Sequence, residues 1–310
     1  MGAFMSNAAP IRLDTPEGVE LLAAHGSRVE VSISDDLREH SDCPEIRLES
    51  VFAEAKPYLS LAFVHRVDLD APHTSATPAS VVKYSARRHS AIDAECIKLG
   101  TAQYYRDYPG DATGIRDPDE ARYVESLRSS LAEWNPDALD NGWLRHVIDG
   151  SVAYQGDGSW FFCASTCPRT QRERAALENE FEADCMTDLG HPAGFAQELA
   201  SAFAQMAPAP PAALGEWLHR LQEHALRTQT NFERVVHVCH GPVVYTNDHE
   251  RHIKHLPVQH RASAFAFVKH PRFARQREYR FTVSTIGKPA QDELLVRNTQ
   301  PLKDRSTIVP

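Results

Sequence analysis

The sequence predicts an α+β fold, with a mixed, largely antiparallel central sheet, peripheral helices and a helical insertion at about 168–231. Three observations predict it. Short stretches with period-two alternation, the clearest inside Ala264 to Ser284 (AFAFVKHPRFARQREYRFTVS), mark strands. Amphipathic stretches with helical spacing lie between them. A hydrophobic content of 42% over 310 residues supplies enough apolar surface for a real core.

Composition narrows the classes. A net charge of -9 argues against a protein that coats DNA. No stretch reaches the roughly 20 apolar residues of a membrane span, and the start, MGAFMSNAAPIRLD, has neither a cationic region nor an apolar one of the kind that directs secretion. Six sparse cysteines, at 43, 96, 163, 167, 185 and 239, read as reduced thiols. The expectation is a cytoplasmic protein without a membrane partner.

Taken in order, Arg28 to Ser34 alternates and Leu59 to Val64 is a short apolar run, so both read as strands. The Pro-containing, small-residue stretch Ala71 to Ser80 reads as a linker. It divides an N-terminal segment or small subdomain, 1–80, from an α+β catalytic-like domain, 81–310. Ile97 and Leu99 alternate ahead of Gly100, an aromatic pair and Arg106, which predicts a strand at 97–104 ending in a positioned cation. Asp117-Pro118-Asp119-Glu120 has the form of a helix start, and Ala121, Val124, Leu127 and Leu131 follow as an apolar stripe, predicting a helix at 118–133. Gly156-Asp157-Gly158 suits a tight hairpin turn into a strand at 159–164 that ends in Ser165 and Thr166, the latter placed to cap a helix starting near Pro168.

Phe195, Leu199, Phe203 and Met206 then recur at helical spacing, as do Leu214, Trp217, Leu218 and Leu221, predicting helices at 193–206 and 211–229 with core-facing aromatics. Valines on either side of Gly241-Pro242 predict a strand pair within 235–246. The last strand, 277–284, carries Gln276, Glu278, Arg280 and Thr282 on one face and Arg277, Tyr279, Phe281 and Val283 on the other. The apolar face suits a core. The polar face is either a solvated surface or a rigidly held site.

Arg106 ending one strand, Ser165-Thr166 ending a second and Gln276-Arg277-Glu278 on a third resemble, in that order, the arginine, serine-threonine-serine and glutamine-x-glutamate landmarks of ADP-ribosyltransferases. Cys167 stands at the third hydroxyl position. The glutamine-x-glutamate spacing occurs three times, at Gln171-Glu173, Gln276-Glu278 and Gln291-Glu293, and only the middle copy has strand alternation. LGTAQYYR, FFCAST and FARQREYRF also resemble an uncharacterised group of bacterial domains, over about 80–285.

The resemblance implies an NAD-dependent transferase, or an NAD glycohydrolase, with NAD as substrate and an acceptor of unknown kind. It implies that Arg106 meets the pyrophosphate, that Ser165 and Thr166 support the nicotinamide ribose, that Glu278 stabilises an oxocarbenium-like transition state, and that Gln276 meets the acceptor. Two other classes stay open. The cations between Arg251 and Arg280 with Phe273 or Tyr279 would suit a nucleic-acid or nucleotide binder. His237, Cys239, His240, His249, His252 and His255 would suit a metal-dependent hydrolase, although metal is not the expectation.

Overall fold

In the computed structural model, residues 11–12, 28–32, 45–55, 59–70, 77–108, 117, 120–126, 151–155, 159–206, 234–248, 252–253, 255–256, 263–285 and 291–310 are described. The first strands are β1 (Ile11–Arg12), β2 (Arg28–Ser32), β3 (Ile46–Ala55), β4 (Leu59–Val67), β5 (Val81–Ser85) and β6 (Cys96–Thr101). Next come β7 (Arg122–Ser126), β8 (Ser151–Gln155), β9 (Trp160–Thr166), β10 (Cys185–Asp188) and β11 (Arg234–Pro242). The last are β12 (Val244–Tyr245), β13 (Val268–Lys269), β14 (Glu278–Thr285), β15 (Glu293–Arg297) and β16 (Thr307–Val309). The α-helices among the described residues include α1 (Ala102–Arg106), α2 (Gln171–Glu180), α3 (Pro192–Ala204) and α4 (Gln300–Asp304).

The fold is α+β. One mixed, mostly antiparallel sheet follows the order β1-β2-β3-β4-β11-β14-β9-β5-β10-β16, and β6, carrying β15, branches from β9. Within this sheet β1–β2 and β4–β11 are parallel. Strands β3 and β4, from the first 80 residues, thus lie in the same sheet as β14. The region 168–231 contributes α2, α3 and, between them, β10, which pairs with β5 and β16. No helix among the described residues is long and apolar enough to cross a membrane.

Two apolar layers flank the central strands. Helix α3 starts at Pro192, whose missing N–H is no loss in a first turn. Its Phe195, Leu199 and Phe203 bury against Phe162, Phe281, Val236 and Trp160. The opposite face is covered by Ile253, Leu256, Phe265 and Phe267, packed with Val67, Phe161 and Cys239. Alternation along β14 therefore sends Tyr279, Phe281 and Val283 into the first layer, and Glu278, Arg280 and Thr282 under the second. All six are buried. The polar face is not a solvated surface.

Several expectations fail locally. The strand at 97–104 stops at Thr101, because the Thr101 hydroxyl accepts the Tyr104 N–H at 3.2 Å and caps α1. The helix at 118–133 is contradicted at 122–126, which form β7 and pair with β8. Ala121, at φ 49, ends the preceding turn in the left-handed region. The Glu120 carboxylate is held there by Arg280, and its carbonyl by Arg106. Those charge-assisted bonds outweigh a helix cap, worth about 1 kcal/mol.

Residues 156–158, expected to form a hairpin turn, lie outside the described residues; among those described, β8 pairs with β7, and β9 with β14, β5 and β6. Thr170, not Thr166, caps the following helix, accepting the Glu173 N–H at 3.1 Å. Gly241 and Pro242 do not interrupt β11; both remain paired, opposite Arg280 and Tyr279. The expected helix at 211–229 and residues 127–133 lie outside the described residues.

Phe281 is fully buried, whereas Arg277 is half-buried with a 3.6 Å ion pair to Glu173. Phe281→Ala is expected to destabilise by about 3–5 kcal/mol and Arg277→Ala by less than about 1 kcal/mol. Urea midpoints check this, and coinciding midpoints would show that the two faces of β14 are wrongly assigned.

Candidate functional site

The site begins with the way β9 shares its neighbours. One edge pairs along its length with β14, placing Ser165 opposite Glu278 and Cys163 opposite Arg280. The other edge is divided. β5 pairs only at Ser165 and Thr166, and β6 only at Trp160 and Phe161. Between them the sheet opens at 162–164, and a cavity of about 480 Å³ lies there, lined by Cys163, Ser165, Glu278, Gln276, Lys269 and Lys83 among others. The Cys163 carbonyl at this gap accepts a 2.7 Å hydrogen bond from Lys83 Nζ.

The floor is a quartet of buried charges. Arg280 Nη1 and Nη2 donate to the two carboxylate oxygens of Glu120 at 2.5 and 2.7 Å, and Arg280 Nε donates to Glu278 Oε1 at 2.5 Å. Lys269 Nζ donates to Glu278 Oε2 at 2.9 Å and lies 3.7 Å from Glu120. Arg280 also donates to the Ala266 carbonyl at 2.5 Å and stands over the Phe161 ring. Each charge is thus met by another in a dry interior. Burial pushes the Glu278 carboxyl up, but Arg280 and Lys269 outweigh it and hold that carboxyl well below the ordinary carboxylate range. For Lys269, burial acts downward, and Glu278 and Glu120 raise its pKa above the usual lysine value.

The strand start is fixed as tightly. The turn Pro271–Gln276 ends at Arg277, in the left-handed region at φ 46, and the chain enters β14 at Glu278. The Glu278 N–H donates to Tyr245 Oη at 2.7 Å, and the Arg277 carbonyl accepts from the Thr166 N–H at 2.9 Å. Gln276 accepts from Lys269 at 3.3 Å and donates to Glu180 at 2.8 Å. Burial and then Glu278 push the Cys163 thiol up to about 12, so it remains a protonated donor beside that carboxylate. Aromatic rings Tyr104, Tyr105, Tyr108, Phe162 and Phe181 line the rest.

The structure brings Glu278, Gln276 and Ser165 together on this cavity. Arg106 and Thr166 are not among the lining residues. Arg106 is buried, with Nη1 donating to the Glu120 carbonyl and Nη2 to Gln103 Oε1, both at 2.8 Å, so it holds the quartet from behind. No motif marks Lys83, Glu120, Tyr245 or Cys163 for this site, and Lys269 belongs in the sequence to the basic stretch 251–280. A signal existed for Lys83, a lone charge in the apolar strand VVKYS. Glu120 joins the site through long-range packing that no local spacing records, and Lys269 through the turn Pro271–Gln276 that returns the chain to Glu278.

The other candidate residues disperse. Among the described cations of 251–280, Arg272 faces Asp117, Arg275 faces Glu180 and Arg277 faces Glu173, while Lys269 and Arg280 lie inside the quartet. Arg251, Lys254 and Arg261 lie outside the described residues. His237 stacks on Phe63, and burial lowers its pKa to about 4. His240 is hydrogen-bonded to Glu49 and Tyr279, and His252 to the Leu69 carbonyl. His249 lies outside the described residues. Among those described, no group of three or more His, Cys, Asp or Glu is placed to share a metal ion. Comparison with protein-family models, with curated proteins and with solved structures gave no match.

Removing Arg280 leaves two buried carboxylates short of a partner. Arg280→Met is expected to destabilise by about 3–5 kcal/mol. Acid should act on the same network. A carboxyl whose folded pKa is depressed stabilises the fold above its ordinary value of 4.5, and that contribution is lost as pH falls below it. Thermal midpoints measured from pH 7 to 3 should therefore fall more steeply for wild type than for Glu278→Gln, and parallel curves would contradict the assignment.

Proposed function

We propose that the chain consumes NAD in a glycosyl-transfer reaction of the ADP-ribosyltransferase type, or as an NAD glycohydrolase, with Glu278 as the carboxylate at the reacting ribose. The observation that carries this reading is the pairing of Glu278 with Ser165 on adjacent central strands, facing one cavity with Gln276 beside them. Breaking the bond between nicotinamide and C1 of the ribose leaves positive charge on the sugar. A carboxylate that is ionised and already oriented stabilises that charge without reorganising at the moment of reaction.

Three features support the reading. Arg280 and Lys269 keep Glu278 ionised through neutral pH. The aromatic wall supplies ring faces for a planar base, and the cavity volume suits a small-molecule ligand. Gln276 is held on the same wall by Lys269 and Glu180, where an acceptor, water in the glycohydrolase form, would approach. Arg106 serves the site through the Glu120 backbone, and Thr166 through the Arg277 carbonyl that delivers Glu278 into β14. The nucleic-acid reading is weaker, because the described cations between 251 and 280 each already meet a carboxylate.

The test is nicotinamide release from NAD by the purified protein. Glu278→Gln is expected to lower turnover by roughly a hundredfold or more. Because Glu278 also belongs to the buried quartet, the assay is run below the variant's melting temperature, and Ser165→Ala is measured beside it with a smaller expected loss. Glu173→Gln, in a copy of the glutamine-x-glutamate spacing on α2, should match wild type. Absence of nicotinamide release from wild type, or equal rates for folded Glu278→Gln and Glu173→Gln, would remove this reading.

A further inference from the structure

Three lysines and one histidine line the cavity: Lys83, Lys98, Lys269 and His89. Three of these four have partners that answer their charge or occupy their nitrogen. Lys269 meets Glu278, Lys98 meets Glu293 at 2.6 Å, and His89 Nε2 accepts from Arg88 Nε at 3.1 Å. Lys83 differs. Its ammonium donates to the Cys163 carbonyl and lies 5.1 Å from the centre of the Phe162 ring, with no carboxylate within ion-pairing distance among the described residues. An ammonium has three N–H donors, and among the described residues the Cys163 carbonyl meets one of them, which leaves two for a ligand. Burial lowers the Lys83 pKa, and the Glu278 carboxylate, beyond ion-pairing distance, acts in the opposite direction.

The position of Lys83 matters as much as its charge. It follows Val82, the residue of β5 opposite Ser165, so it stands where β5 leaves β9 and the sheet opens. We propose that Lys83 forms an anion subsite in this cavity, which takes one phosphoryl group of a ligand whose planar ring lies against the tyrosines of the wall. A single ammonium answers one phosphoryl group, which in NAD would be one of the two in its diphosphate. The inference rests on the reading of the cavity as a nucleotide site and names the residue that selects the ligand's charge.

Isothermal titration with AMP, adenosine and inorganic phosphate tests it, on wild type, Lys83→Met and Lys83→Arg. Wild type should bind AMP roughly tenfold or more tightly than adenosine, the scale of a charge-assisted hydrogen bond, and phosphate should compete with AMP. Lys83→Met keeps the apolar stem, so AMP should weaken to the adenosine level while adenosine itself is unchanged; Lys83→Arg should retain a preference for AMP. If Lys83→Met does not fold, the wild-type preference and the phosphate competition decide the matter. Equal binding of AMP and adenosine by wild type, undiminished AMP binding by Lys83→Met, or no binding of any probe at millimolar concentration would overturn the subsite. AMP bound through Lys83 without nicotinamide release keeps the subsite and removes the transferase reading. Nicotinamide release with an unchanged KM in Lys83→Met does the reverse.

Discussion

A fully buried guanidinium sets the terms for the rest of this structure. Arg280 is the largest completely buried side chain among the described residues, and it joins two carboxylates from distant parts of the sequence, Glu120 and Glu278. Taking such a charge out of water is tolerable only when every donor finds an acceptor in good geometry. That demand reaches outward. It holds Glu120 in a turn closed by a left-handed Ala121, commits Arg106 to the Glu120 carbonyl, and draws Lys269 into the space between the carboxylates. The segment carrying Ala266 is bound from below by the same guanidinium. A fold class with many possible topologies is thereby tied together at one point.

The cavity has a different origin, in the ladder. A strand edge can serve one partner continuously or two partners at its ends. β9 does the second, and the residues between the two pairings lose their backbone neighbours. Lys83 occupies the gap and satisfies the Cys163 carbonyl, which keeps a buried acceptor from standing alone. The open place in the sheet and the buried quartet coincide because β14 runs along the other edge of the same strand.

The alternation of β14, the stripe of α3 and the approximate place of β9 were legible, since each is a local periodicity that the core reads directly. The faces of β14 separate as the spacing requires, yet the polar face is as dry as the apolar one, because coverage by 263–269 is a tertiary fact. The strongest local signal to fail was the helix start at Asp117. Its cap and stripe are real features of the sequence, but Glu120 is worth more to the fold as a partner of Arg280 than as a third helical residue. Glu278, Gln276 and Ser165 could be found from motif and alternation. Glu120 could not, because an ion pair between residues 120 and 280 leaves no mark on either neighbourhood.

The charge arithmetic of the site bears on what chemistry it can support. Glu120 and Glu278 against Arg280 and Lys269 make a neutral quartet, and among the described lining residues the Lys83 ammonium stands outside that balance. A neutral floor by itself neither attracts nor repels a developing cation. In the proposed reaction, however, Glu278 would act on the breaking bond by its closeness, because a carboxylate in a low-dielectric site acts through proximity more than through net charge. A ligand phosphate at Lys83 would then answer the remaining ammonium and leave the reacting sugar in a site with no surplus positive charge. Binding of the anion and stabilisation of the cation would thus be two halves of one electrostatic balance, with the quartet holding Glu278 still while the charge on the sugar develops.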